Sequence, residues 1–249
     1  MSGRRWYCVR QEAGPLVKEC RALRPRLSPD DSLYDRRLKN QILRPPRDSA
    51  ICHSPVDRLE LRMALFGWSG TFYTLTFDED HLPQAWRDGK KLWKNYMARL
   101  RYAQGGTPLD CISCLEGKHG DHRYHFHGVF NDDQIPLSEV RRLWTYGEVD
   151  DEPLLRQPRD SFRRLAGYLN KERSDGIIIP IDSRPWTCSR SLTAKLPPPE
   201  RWMDTSGHID IPDNVFASGR SHVENEFGAY EYGWYILDKR SYKRSLTLR

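Results

Sequence analysis

"LDCISCLEGKHGDHRYHFHGVF", residues 109–130, is the stretch on which the reading of this chain turns. Two short runs, "LDCISCLEG" and "HRYHFHGVF", flank the polar turn "GKHGDH", a pattern that predicts a β-hairpin. Side chains two apart on a strand share a face, so His125 and His127 stand side by side while Tyr124, Phe126 and Phe130 turn the other way. Phe126 is then free to bury, and the two imidazoles converge on one point. Neutral imidazole is a good ligand for Mn²⁺, Zn²⁺ and other transition ions, and two of them with one carboxylate leave positions open for substrate and water. Glu116 stands just before the turn, where hairpin pairing brings its carboxylate beside the histidines, and its face-mates are small enough to leave room for an ion. Cys111, Cys114, His119 and His122 are the competing ligand set, read as structural zinc. Only four residues separate Cys114 from His119, and cysteines three apart on a strand splay to opposite faces, so the zinc reading is disfavoured. His122 is read as a turn residue. Two alternating histidines also suit a half-exposed strand with incidental polar residues, so the hairpin by itself does not assign a function.

Outward from the hairpin, "TFYTLTFD" has the period of two and the β-branched content of a strand over Thr71–Phe77, with Thr74 and Thr76 on one face. The stretch from Gln84 to Ala103 sets Leu92, Tyr96, Met97 and Leu100 on one helical stripe, ended by Gly105 and Gly106. A helix is expected after Pro55, with Leu59, Met63 and Phe66 at helical spacing and Gly67 or Gly70 as its stop. "RWYCVR" near the start, "DGIIIPID" after residue 174 and "AYEYGWYIL" near the end read as further strands, and residues 184–212 read as extended. Strands and helices mix without regular βα alternation, which favours α+β with a central antiparallel sheet. The expected organisation is an arginine- and proline-rich extension over residues 1–65, a core over 66–183, and a segment over 184–249 that completes or flanks the sheet.

The chain of 249 residues is long enough for one sizeable core. Lys plus Arg total 40 against 34 for Asp plus Glu, a net charge of +6 that suits a polyanionic partner as well as an ordinary solvated surface. Of those cations 30 are arginine, whose planar fork grips phosphate oxygens in pairs, and this leans the balance toward nucleic acid. No apolar run approaches the ~20 residues that span a bilayer, and the N-terminus lacks the apolar stretch of a signal peptide, so an intracellular protein without membrane contact is expected. The six cysteines are accordingly read as free thiols.

A second constellation lies in "SFRRLAGYLNKE", residues 161–172, a helix with Ser161 or Asp160 as its cap. Phe162, Leu165, Ala166 and Leu169 form its apolar stripe, and Tyr168 falls off that stripe. Arg164, Tyr168 and Lys171, spaced i, i+4, i+7, make a cation–tyrosine–cation row. A phenol flanked by cations ionises more readily and can attack phosphorus to give a covalent phosphotyrosine. A surface tyrosine covering a helix flank is the plainer reading of that helix alone. Together, a divalent ion that polarises a phosphate oxygen and a tyrosine that delivers the in-line nucleophile make one site.

In their order along the chain, "FYTLTFD", "HFH" and "YLNK" resemble the motifs of the HUH endonucleases, and within them the rolling-circle replication initiators (Rep) of small single-stranded DNA phages and plasmids. "EGKHGDHRYHFHGVF" is close to the form seen in filamentous and related phage initiators, and "TCSRSL" and "ENEFGAYEYGWYIL" look like their downstream segments. The resemblance runs from about Thr71 to the C-terminus, and the first 65 residues match nothing of it. It implies an RRM-like palm of about five antiparallel strands with the histidines on a middle strand. It implies Mg²⁺ or Mn²⁺ on Glu116, His125 and His127, attack by Tyr168, and Lys171 to orient DNA or stabilise charge. The activity so implied is single-strand DNA nicking and joining through a 5′-phosphotyrosine, leaving a 3′-OH primer. The implied partners are single-stranded or origin hairpin DNA with a host polymerase and helicase, in the cytoplasm of a bacterial host. The motif holds a single tyrosine where some initiators and relaxases carry two, so the origin of the second transfer is open. No GxxxxGK[ST] loop is present, and a fused helicase is not expected. A relaxase or single-tyrosine transposase would share this chemistry, although a relaxase usually places its tyrosine ahead of the histidines. A non-catalytic nucleic-acid-binding protein with incidental histidines is the alternative from another class.

Overall fold

The computed structural model describes residues 5–23, 32–34, 54–117, 123–156, 162–170, 186–225 and 228–247. In chain order its elements are β1 (Trp6–Ala13), β2 (Leu16–Leu23), α1 (Pro55–Ala64), β3 (Gly70–Thr76), α2 (Trp86–Ala103), β4 (Cys111–Gly117), β5 (Tyr124–Asn131), α3 (Leu137–Leu143), β6 (Val149–Pro153), α4 (Phe162–Asn170), β7 (Trp186–Cys188), α5 (Arg190–Ala194), β8 (Glu200–Asp204), β9 (Val215–Asn225), β10 (Gly228–Leu237) and α6 (Lys239–Thr247). They fall into two units: a hairpin unit, Arg62–Leu196, and a terminal unit, Met1–Leu61 with Pro197–Arg249. Among the described residues no helix is long and apolar enough to cross a membrane. The expected α+β architecture with a five-stranded antiparallel sheet is present, and a second five-stranded sheet accompanies it.

The sheet of the hairpin unit runs β6-β3-β5-β4-β7, so the strand that carries the histidines is the middle one. Its register sets Thr74 and Thr76 of β3 opposite His127 and His125, and Cys114 and Glu116 of β4 opposite the same pair. On the other face, Tyr73, Leu75, Phe77, Leu115, Phe126 and Phe130 close a core with Trp93, Tyr96, Met97 and Leu100 of α2 and Val140 of α3. The Trp93 ring stacks on Phe126 at 4.7 Å. In α2 it is Trp93 that completes the buried stripe, and Leu92 only packs at its margin. Gly105 and Gly106 end the helix as expected, both with positive φ, and the Gly106 N–H closes back on the Arg101 carbonyl at 2.8 Å.

In the terminal unit β1 and β2 form a hairpin, and the sheet runs β8-β1-β2-β10-β9. The stretch "AYEYGWYIL" is a strand, as its alternation predicts, but β10 pairs with β2 and β9, while of the C-terminal segment only β7 joins the histidine-bearing sheet. Both neighbours are needed because Tyr230, Tyr232, Tyr235 and Ile236 of β10 are buried. α1 starts at a capping box: the Asp57 N–H donates to Ser54 Oγ at 3.0 Å, and the Ser54 N–H and hydroxyl donate to Asp57 Oδ2. Pro55 fills the first helical position, where its missing N–H costs nothing. Lys18 of β2 is fully buried and donates to Asp57 at 3.3 Å and Glu60 at 2.7 Å. The expected strand "DGIIIPID" and the cap of the nucleophile helix lie outside the described residues. So does Cys52, while the five described cysteines are free thiols.

Two stability measurements follow from these contacts. Truncating the ring that fills the centre of the core, Phe126→Ala, is expected to cost about 3–5 kcal/mol by denaturant unfolding. Lys18→Ala leaves two buried carboxylates without their cation and is expected to cost about 3–5 kcal/mol by the same assay, whereas an exposed control, Lys91→Ala, changes little.

Candidate metal centre and nucleophile

Three donor atoms converge above the middle of the hairpin unit's sheet. His127 Nε2 lies 2.7 Å from Glu116 Oε2 and 3.2 Å from His125 Nε2, and His125 Nε2 lies 3.4 Å from Glu116 Oε2. Adjacent corners of an octahedron at about 2.1 Å from a divalent ion are about 3.0 Å apart, and those of a tetrahedron about 3.4 Å. The observed separations match a shared ion, and these residues form the one such group of histidine, cysteine and carboxylate donors among the described residues. One carboxylate oxygen and two ring nitrogens suit Mn²⁺ or Zn²⁺ and also admit Mg²⁺.

Local electrostatics favour the ligand forms of two of these groups. Burial would push the Glu116 carboxyl up, but hydrogen bonds from His125 and His127 hold it well below the usual carboxylate range. Burial pushes the His127 imidazolium down, against the opposing pull of Glu116, and so favours the neutral ring. The far side of that ring meets the Thr74 hydroxyl at 3.4 Å across Nδ1. With Nδ1–H donating to Thr74, Nε2 keeps its lone pair for the cluster. Phe72 stacks on His127 with centroids 5.0 Å apart, which pins the ring's plane. Phe72 escaped the sequence reading, although its alternation with Thr74 and Thr76 places it on the same face. Trp186 of β7 also reaches this face, paired with Cys114, with the Arg62 guanidinium 5.7 Å from its ring.

The nucleophile helix behaves as its periodicity requires. Phe162, Ala166 and Leu169 are buried, Leu165 is half-buried, and Tyr168 remains 45% exposed. Its hydroxyl comes to 3.5 Å from His127 Nε2, with ring centroids 5.5 Å apart. Glu116, His125, His127 and Tyr168 are thus brought together from β4, β5 and α4. Arg164 is exposed on the same helix. Lys171 lies outside the described residues, as do His119 and His122 of the competing zinc set. Cys111 and Cys114 point to opposite faces, paired with Phe130 and His127 respectively.

The comparison with known proteins falls on this same stretch. Residues 70–173 match the family of the replication-associated protein ORF2. The replication-associated segment runs from β3 past the end of α4, so it holds Glu116, His125, His127, Tyr168 and Lys171. The Rep-type likeness read from the motifs is met at the level of a replication-associated family. No curated protein matches the chain. Among solved structures, the hypothetical protein ORF119 of Sulfolobus islandicus rod-shaped virus 1 is similar over 51% of this chain and 100% of its own, at 12% identity and a TM-score of 0.35. That likeness is too slight to carry an argument about the replication-associated segment.

A metal titration checks the donor set. Manganese binding followed by calorimetry should be strong in the wild type and should weaken at least about tenfold in His125→Ala and in Glu116→Gln. Equal binding by all three proteins would exclude these residues as ligands.

Proposed function

We propose that the chain is a rolling-circle replication initiator that nicks and rejoins one DNA strand through Tyr168. The observation that carries this reading is the exposed Tyr168 hydroxyl 3.5 Å from a buried histidine nitrogen that also faces Glu116 and His125. A surface tyrosine covering a helix flank has no reason to end against a ligand cluster. The family match over residues 70–173 supports a role in replication.

Glu116, His125 and His127 would hold Mg²⁺ or Mn²⁺, which when bound polarises a non-bridging phosphate oxygen. The chain's own residues do the rest. α4 holds the Tyr168 phenol beside the cluster, so a strand laid across this face meets the hydroxyl without a rearrangement of the fold. The phenol loses its proton and its oxygen forms a bond to phosphorus. The bond from phosphorus to the leaving 3′-oxygen breaks, and that oxygen takes up a proton to become the 3′-OH. The 5′-phosphate stays on Tyr168 as a diester, so bond energy is conserved and no nucleotide triphosphate is consumed. Lys171, next after the described end of α4, is assigned the role of neutralising charge on the phosphate. Thr74 and Phe72 act through His127 as positioning residues.

A labelled single-stranded origin oligonucleotide incubated with Mn²⁺ should become covalently attached to the wild type. Tyr168→Phe should abolish the adduct, and Lys171→Ala should slow it by about 10²-fold. A persistent adduct in the Phe variant would remove Tyr168 as nucleophile.

A further inference from the structure

The C-terminal helix α6 carries a charge pattern that folding does not explain. Its sequence "KRSYKRSLT" holds Lys239, Arg240, Lys243 and Arg244 and no acid. All four cations are exposed and no residue of the helix is buried, while Ser241, Tyr242 and Ser245 form its half-buried side. At about 100° per residue, the four cations occupy an arc of about 140° and the half-buried three the opposite side. The order i, i+4 repeats like charge twice, Lys239 with Lys243 and Arg240 with Arg244, each a repulsive pair on an exposed helix. Asp238 is the nearest acid in sequence, and its Oδ1 accepts the Ser241 N–H at 2.6 Å as the helix cap. Its carboxylate is therefore committed to the backbone. A helix with little apolar burial and repulsion along its outer face gains most from a polyanion laid against that face.

We infer that the cationic stripe of α6 is a second nucleic-acid contact, one that holds the phosphate backbone of duplex DNA. Lys239 and Arg244 are separated by about 7.5 Å along the helix axis at about 1.5 Å rise per residue. A duplex presents a phosphate about every 3.4 Å along each strand, so the stripe matches two to three successive phosphates. Two arginines and two lysines without base-reading amides make it a backbone contact rather than a sequence reader. The stripe belongs to the terminal unit, outside the matched residues 70–173, and uses none of the residues assigned to strand transfer. Preference for DNA over another polyanion rests on the replication reading.

The test uses the full chain and a variant with Lys239, Arg240, Lys243 and Arg244 all changed to Ala, which keeps helix propensity. Fluorescence anisotropy on a blunt duplex is followed as salt is raised, with a single-stranded oligonucleotide and phosphatidylserine vesicles as parallel arms. The slope of log affinity against log salt on duplex should fall by about two to four in the variant. Adduct formation at Tyr168 on a short single strand should be unchanged. An unchanged duplex slope overturns the inference, as does an equal loss on single strand, or a loss confined to vesicles. Absence of any adduct in the wild type would sink the Tyr168 chemistry and leave the duplex result standing.

Discussion

The two-residue period of β5 is the constraint on which the hairpin unit depends. Because β5 is the middle strand, both its faces are covered, and each side chain must suit one of two very different environments. Phe126 and Phe130 turn into an aromatic core under α2, and His125 and His127 turn away from it. A slip of one residue would drive both imidazoles into the core and expose both rings. The aromatic packing that stabilises the unit therefore also fixes where the histidines point, and the register with β3 and β4 supplies their neighbours. Thr74 and Glu116 are not recruited from loops; they arrive as paired residues of adjacent strands. Strand-borne ligands of this kind are held more closely than loop-borne ones, and the donors already stand at coordination distances.

That logic made the site legible in the sequence. Alternation placed His125 and His127 on one face, hairpin pairing brought Glu116 to them, and helical spacing pushed Tyr168 off the stripe of Phe162, Ala166 and Leu169. Each inference used only local periods of 2 and 3.6 residues. What was not legible was non-local or masked by charge. β2 did not read as a strand because "LVKECRAL" carries Lys18, Glu19 and Arg21, all of which are buried. They are tolerated because Lys18 meets Asp57 and Glu60, while Arg21 meets Glu19 and Asp204. Polar residues among the strand's inward positions erase its alternation unless their partners are known, and Asp204 is 183 residues away.

The second sheet was illegible for a related reason. Its central pairing joins Leu16 to Ile236 and Ala22 to Tyr230, near the two ends of the chain. Closing a loop of that length costs only a few kcal/mol more than closing a short one, so nothing forbids it, and nothing in local composition announces it. The start of α1 is the opposite case. "SPVD" carries a proline suited to the first helical turn and the S-x-x-D spacing of a capping box, and the helix expected after Pro55 is there. Local chemistry is readable at the ends of elements; partner choice between distant strands is not.

The exposure of Tyr168 bears on the question left by a single motif tyrosine. Tyr73 and Tyr96 lie in the core on the opposite face of the same sheet, and burial pushes both phenols far above the ordinary range. Neither can reach a strand laid over the histidines, and neither would ionise there. On the proposed chemistry, strand joining does not require them. The phosphotyrosine is a diester of nearly the same energy as the bond it replaced, so a 3′-OH that returns to the same face can attack phosphorus along the reverse path and expel the Tyr168 oxygen. One phenol then serves both transfers, provided that the cleaved strand is replaced by its acceptor without losing the register of the phosphate over the cluster. That condition concerns how DNA is held rather than how many tyrosines the helix carries. A backbone contact that keeps the flanking duplex in place during the exchange would meet it.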